Sequence, residues 1–196
     1  MKIIKLAATA GFCVAVFSSN LVWAEESSYF GVNYEAWSVK DDSGEDFGIG
    51  KVTWSPSLLT VKAGINLDES FAIEGKLGLG AGDSSKTVNF SGYQTKMTVD
   101  PKYSFGVYGV GKIPFNEEFE LYGKLGLTHF AFDLKASVTG YGEIVNETES
   151  ETKASIGAGA NFFLDENNGI NIEWMAPSIG DLGDINTFSV GYIRKF

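Results

Sequence analysis

The chain has 196 residues, enough for one domain of ordinary size, with 24 glycines, 14% aromatic residues and a formal net charge of −10. This acidic balance disfavours nucleic acid as a partner, because phosphate binding requires basic surface. The single cysteine excludes a disulfide scaffold, and the many glycines and aromatic residues favour strands over helices.

The N-terminal segment has the layout of a secretory signal peptide. Lys2 and Lys5 precede an apolar stretch over residues 6–17, and Ala24 stands directly before two glutamates. We predict cleavage after Ala24, which gives a signal peptide over 1–24 and one mature domain over 25–196. Neither the apolar stretch nor any later segment offers the roughly 18 consecutive apolar residues of a membrane-spanning helix. If the mature chain enters a membrane, it therefore enters as strands.

Eight segments after this leader have the alternating pattern of β-strands, joined alternately by short polar turns and longer polar or acidic loops. The predicted strands are 28–39, 51–66, 71–82, 102–113, 119–132, 153–164, 169–176 and 187–196. The predicted long loops are 40–50, 82–101, 134–152 and 177–186. Membrane barrels keep short turns in the periplasm and long loops outside, so both termini are expected in the periplasm.

Two of the strands repeat one pattern, F-x-[I/L]-x-G-K-L-G-L, at residues 71–79 and 119–127. In each copy one face is apolar, whereas the other carries glutamate, lysine and glycine. A water-soluble sandwich would bury the apolar face, but a membrane barrel places that face against lipid and turns the polar face inward. A soluble lipid-binding barrel is a third, weaker reading, because the inward positions are polar.

The interior of an eight-stranded barrel is only wide enough to be filled by side chains. An unpaired charge buried there would cost several kcal/mol, so the inward charges are expected to pair. The predicted ion-pair network of the lumen contains Glu74, Lys76, Glu120, Lys124 and Glu173, with Glu35, Lys62 and Lys112 as further candidates. The network is expected to be structural, and the alternative is that it gates a narrow pore.

No catalytic, cofactor or metal site is predicted. His129, the only histidine, would face outward near the outer rim, away from the lumen. The glycine-rich stretches 78–82 and 157–159 lack the strand–turn–helix setting of a nucleotide site. The acidic loops offer no ligand spacing that specifies a metal ion.

The closing segment is typical of the last strand of a bacterial outer-membrane barrel. It alternates Phe188, Val190 and Tyr192 with small or polar residues and ends on Phe196, which can lie at the membrane–water boundary. We predict that these four residues form a C-terminal assembly signal.

With its leader, eight alternating strands, G-K-L-G-L repeats, the segment 155–168 and terminal Phe196, the chain resembles the OmpA/OmpX-like small outer-membrane β-barrel family. The resemblance covers essentially the whole mature chain. It implies an all-β, eight-stranded antiparallel up-and-down transmembrane barrel in the outer membrane of a Gram-negative bacterium. Arg194 departs from the pattern, because a hydrophobic residue is usual at its outward position.

Family members of this size act as adhesins, surface-protection factors, minor porins or structural proteins. The resemblance therefore implies a non-enzymatic role in cell-surface structure or adhesion, with a narrow passive porin for small solutes as the alternative. The implied partners are outer-membrane lipid and lipopolysaccharide, the barrel-assembly machinery, and a host or surface protein bound through the extracellular loops.

One loop suggests how such a surface protein would be bound. Residues 83–100 alternate Val88, Phe90 and Tyr93 around Ser91-Gly92, which predicts a protruding hairpin. Its open edge could add a partner strand.

Overall fold

The computed structural model describes residues 28–41, 52–90, 93–177 and 185–196. The predicted signal peptide and most of loops 40–50 and 177–186 lie outside these residues. Within them, no helix is long and apolar enough to cross a membrane. The strands are β1 Ser28–Asp41, β2 Val52–Trp54, β3 Ser57–Asn66, β4 Phe71–Gly82, β5 Ser84–Phe90, β6 Tyr93–Pro114, β7 Phe119–Val138, β8 Gly142–Phe163, β9 Asn168–Ala176 and β10 Ile185–Lys195.

These strands form one antiparallel sheet that closes on itself. Each barrel strand pairs with its neighbours in the chain, and β1 pairs with β10 over eleven residue positions, from Tyr29↔Lys195 to Val39↔Ile185. Two short segments are continuations: β2 extends β3 beyond Ser55-Pro56, and β5 extends β4. The predicted fold class, an eight-stranded up-and-down barrel, is confirmed.

The three short turns share one hydrogen-bonding device. In each turn the side-chain oxygen of Asp68, Asn116 or Asp165 accepts hydrogen bonds from the backbone N–H groups two and three residues later, at 2.7–3.0 Å. The side-chain amide of Asn168 adds another hydrogen bond, and together these hold the pKa of Asp165 below its ordinary value. Such turns fix hairpin register, which decides the face that each side chain occupies.

The barrel wall has the polarity of a protein immersed in lipid. Large apolar side chains point outward and are exposed, as at Leu125 (59%). Charged side chains point inward and are buried, as at Glu74 (1%). A water-soluble protein distributes these residue types in the opposite way, whereas an outer-membrane barrel distributes them in this way.

Two predicted loops are strands instead. The prediction of a loop over 134–152 is wrong: β7 and β8 stay paired up to Val138↔Gly142. Its charged residues resemble a loop, but they alternate with threonine and serine along an exposed strand. Most of 82–101 is the predicted hairpin, since β5 pairs with β6 from Ser84↔Val99 to Phe90↔Tyr93.

These strand extensions form a four-stranded sheet that continues past the loop end of the barrel. We call it the projecting sheet, in the order β5-β6-β7-β8, with residues 84–90, 93–102, 131–138 and 142–155. On its β4 side the barrel ladder ends at Leu79↔Tyr103, and on its β9 side the ladder ends at Ile156↔Ala176.

The polarity of the wall reverses at the base of the projecting sheet. The outer face there carries an ion-pair network in which Asp133 meets Lys102 at 2.6 Å and Lys135 meets Asp100 at 3.1 Å. Burial alone would raise the pKa of Asp133, but hydrogen bonds from Lys102 and Thr148 hold it below its ordinary value. Charges on the outward face mark the level at which lipid contact ends.

The reversal has a different cause in each strand. In β6 a bulge between Pro101 and Tyr103 shifts the alternation of side chains by one residue, so that the apolar side chains beyond it lie on the inner face. In β7 the sequence itself changes phase, because the apolar residues Leu125 and Leu127 are followed by Phe130, one position out of step.

Candidate functional site: the lumen and the projecting sheet

Lys124 of β7 lies at the centre of the lumen between two carboxylates. Its Nζ is 2.9 Å from Glu74 Oε1 and 2.6 Å from Glu173 Oε2, and all three side chains are buried. The ammonium group also lies 4.6 Å from the ring centre of Tyr108. Buried charges are tolerable only with such close, hydrogen-bonded partners.

Three more charged residues complete this cluster. Lys76 pairs with Glu35 at 2.6 Å and with Glu173 at 3.6 Å, and Lys62 pairs with Glu173 at 3.3 Å. Three lysines therefore face three glutamates, so the cluster carries no net formal charge. Hereafter the central network means Glu35, Lys62, Glu74, Lys76, Lys124 and Glu173.

Glu120 and Lys112 stand apart, nearer the short turns. Asn161 donates a hydrogen bond of 2.8 Å to Glu120, and Lys195 lies 3.8 Å from that carboxylate. Lys112 donates to Asn66 and lies 4.5 Å from the ring centre of Tyr29. The structure thus brings four of the five predicted lumen residues into direct contact and links Glu120 to them through the amide groups of Asn161 and Asn171.

Two tyrosines, which the charge pattern alone did not identify, support the network. Tyr29 donates to Glu74 at 2.9 Å, and Tyr108 hydrogen-bonds Thr128 at 2.8 Å below the ammonium of Lys124. Tyr29 lies over Gly64 on the next strand, where a Cβ would come within 2.2 Å of its ring. The glycine is therefore needed because the tyrosine ring occupies the space a larger residue would take.

An apolar layer closes the lumen toward the loop end. Trp37 packs against Phe130 and Phe132 with ring centres 5.5 and 5.3 Å apart, and Leu58 is buried beside them. Within the described residues, the Trp37 indole Nε1 has no hydrogen-bond partner. This layer and the central network lie one above the other, so ions would meet a charged and then an apolar obstruction.

The space left inside is small. A cavity of about 10 Å³ lies between the central network and the short turns, lined by residues that include Tyr122, Lys112 and Glu120. It accommodates about one water molecule. Over the described ranges, no three histidine, cysteine, aspartate or glutamate side chains gather as metal ligands would.

The remaining residues singled out from the sequence lie on the outside. His129 faces outward, between the rings of Tyr103 and Phe105, with Nδ1 2.9 Å from Thr152 Oγ1. The side chains of the proposed assembly signal, three on β10 and one directly after it, are all exposed: Phe188 54%, Val190 45%, Tyr192 44% and Phe196 67%. Arg194 extends over the ring of Phe196, 5.3 Å from its centre.

Comparison with known proteins places this geometry among membrane barrels. A family model described as the outer membrane protein beta-barrel domain matches residues 4–196. Among solved structures, Ail, the attachment invasion locus protein of Yersinia pestis, in complex with the heparin analogue sucrose octasulfate, is 20% identical, with a TM-score of 0.55 and coverage of 86% of this chain and 97% of that one.

The outer membrane protein OprG from Pseudomonas aeruginosa is 12% identical, with a TM-score of 0.51 and coverage of 86% of this chain and 95% of that one. At these low identities, the structural likeness shows a shared fold alone. None of the curated proteins compared with the chain matches it.

Proposed function

We propose that this chain, which belongs to the outer-membrane β-barrel protein family and lies in the bacterial outer membrane, is a non-enzymatic surface protein that attaches the cell to a partner protein through its projecting sheet. The filled barrel serves as the anchor, and the projecting sheet serves as the binding part. Attachment is the role that uses the projecting sheet, which a protein that only anchors in the membrane does not need.

The observation that carries this proposal is the unpaired edge of the projecting sheet. In the described structure β5 pairs only with β6, so its other side presents free backbone N–H and C=O groups beyond the barrel wall. Soluble proteins normally cover or charge such an edge, because it adds strands from other chains. Strand addition to an exposed edge is a recurrent mode of protein recognition.

An orientation of the chain in the outer membrane belongs to this proposal. The signal peptide over 1–24 is removed on export, and both termini lie in the periplasm, with the projecting sheet on the cell surface. The barrel-assembly machinery reads the outward residues Phe188, Val190, Tyr192 and Phe196. Lipopolysaccharide contacts the wall where Lys102 and Lys135 succeed the apolar belt.

The packed lumen supports a structural role for the ion pairs rather than a pore. The central network joins its lysines and glutamates across the lumen at 2.6–2.9 Å, and the Trp37 layer lies above it. A narrow passive porin would require both obstructions to move together. The Ail structure contains a heparin analogue. A sulfated polysaccharide is an unsuitable partner for the present chain, because the negative charge of the chain repels sulfate groups.

Deletion of residues 86–97 tests the proposal. We expect cells carrying the deletion to lose attachment to a protein-coated surface, because the β5 edge and the tip of β6 are gone. The variant should still show the gel mobility shift on heating that marks a folded barrel. A matched control, Glu117→Gln in a short turn, should attach like the wild type. Unchanged attachment by the deletion variant would refute the proposal.

A further inference from the structure

We infer that the free edge of β8 binds a basic, strand-forming segment of the partner protein. This inference rests on the proposed attachment role and adds a second binding edge, opposite β5, together with the chemistry of the partner segment bound there. It concerns residues 144–154, on the side of the projecting sheet opposite β5.

The β8 edge is open because its neighbour stops. The β8–β9 ladder ends at Ile156↔Ala176, the last residue of β9, and the chain continues with Pro177, which has no N–H to donate. Beyond Ile156, β8 pairs only with β7 within the described part of the chain. Among the described residues, about ten residues of β8 therefore have no strand laddered to them on that side, a length that suits an ordinary strand.

The exposed edge carries a row of carboxylates on one face. Glu147, Glu149 and Glu151 alternate along β8 and lie opposite Leu134, Phe132 and Phe130 of β7. Their backbone positions are about 7 Å apart, within a Debye length at physiological salt. Among the described residues, Glu151 pairs with Lys153 at 3.2 Å, whereas Glu147 and Glu149 have no ion-pair partner.

The cross-strand neighbours on β7 are apolar and offer no cation, so Glu147 and Glu149 are left to be neutralised from the open side. A strand added there would place alternate side chains directly beside the carboxylates, where opposite charges stabilise the pairing. Its other side chains would meet Thr148, Ser150 and Thr152. Lysine or arginine at every second position, with threonine or serine between, satisfies both faces.

A second copy of this chain is the less suitable occupant. Its β5 edge offers Lys86 as a single inward cation, and the whole chain carries a net charge of −10. Two such acidic molecules repel one another over the distance of approach. A basic partner gains from the same field.

Binding of a defined peptide to the folded full barrel in lipid nanodiscs tests this inference. The probe is a fluorescent ten-residue peptide alternating lysine with threonine, and fluorescence anisotropy gives its Kd. We expect the variant E147Q/E149Q/E151Q to bind at least about tenfold more weakly than the wild type, because three cross-strand ion pairs are lost. Wild-type binding should also weaken as salt is added.

Two controls separate local from general effects. The variant E117Q/E118Q/E166Q makes the same change in net charge at the short turns and should bind within about twofold of the wild type. A peptide with proline in place of threonine keeps its charge but cannot pair as a strand, and should bind at least about tenfold more weakly. Equal losses in the two triple variants, or equal binding of the two peptides, would overturn the inference.

The outcome is independent of the attachment assay. Cells that attach through residues 86–97 while the peptide fails to bind would leave the proposed function standing and remove this inference. Peptide binding without any cell attachment would contradict the attachment role and leave the binding chemistry of the β8 edge standing. Oligomers of the wild type that disappear in E147Q/E149Q/E151Q would identify a second copy as the occupant and contradict the basic partner.

Discussion

Lys124→Met is expected to destabilise the folded barrel by about 3–5 kcal/mol. The substitution removes the cation that contacts both Glu74 and Glu173 and leaves Glu74 without its only ion-pair partner among the described residues. The free energy needed to keep the Glu74 carboxylate charged without a partner exceeds the attraction that is lost, because water cannot solvate it in the lumen. The free energy of unfolding in urea, followed by tryptophan fluorescence in lipid vesicles, measures the effect.

Two variants show that the loss arises from the lumen. Lys86→Met removes an exposed lysine from β5 and should change stability by less than about 0.5 kcal/mol. Adding Glu74→Gln to Lys124→Met should recover part of the stability, since it neutralises one stranded carboxylate. A Lys124→Met barrel as stable as the wild type would show that the central network does not hold the lumen together.

Leu125→Arg is expected to destabilise the barrel by about 2–4 kcal/mol, the cost of arginine on the lipid face near the midplane. Leu125 points outward from β7, beside Gly109 and Ile156 on the neighbouring strands. Because the side chain makes little contact with the rest of the protein, its environment is set by what surrounds the wall. The same unfolding measurement in vesicles gives the value.

Ile144→Arg is the matched control for Leu125→Arg. Ile144 of the projecting sheet is 58% exposed and Leu125 is 59% exposed, so the two residues differ in surroundings rather than in burial. Above the lipid an arginine should cost less than about 0.5 kcal/mol. Equal effects of the two substitutions would mean that both positions see the same solvent.

The barrel could be predicted from the sequence because its signal is repeated in every strand. Alternation with the charged face inward, as in 71–79 and 119–127, specifies both pairing and polarity. The projecting sheet was only half predicted. Along 134–152 both faces of the strand meet water, so apolar alternation fades and the glutamates resemble a loop.

The arrangement of the lumen could also be predicted only in part from the sequence. Inward charges such as Lys124 and Glu173 follow from strand parity, since a charged residue on the lipid face would be costly. The position of Glu120, away from the central network, does not follow, because parity fixes the face but not the height along the barrel axis. Tyr29 and Tyr108 share the inward parity of these charges, and the glycines opposite them were the available signal.

Collision accessibility of a nitroxide side chain tests most directly whether lipid surrounds the apolar wall. Cys13 is the only cysteine in the sequence, so a chain that begins at residue 25 can be labelled at one introduced cysteine. At positions 77 and 125 we predict strong relaxation by oxygen and little by a water-soluble nickel complex, with the reverse at position 144. Nickel access at positions 77 and 125 equal to that at 144 would contradict the account.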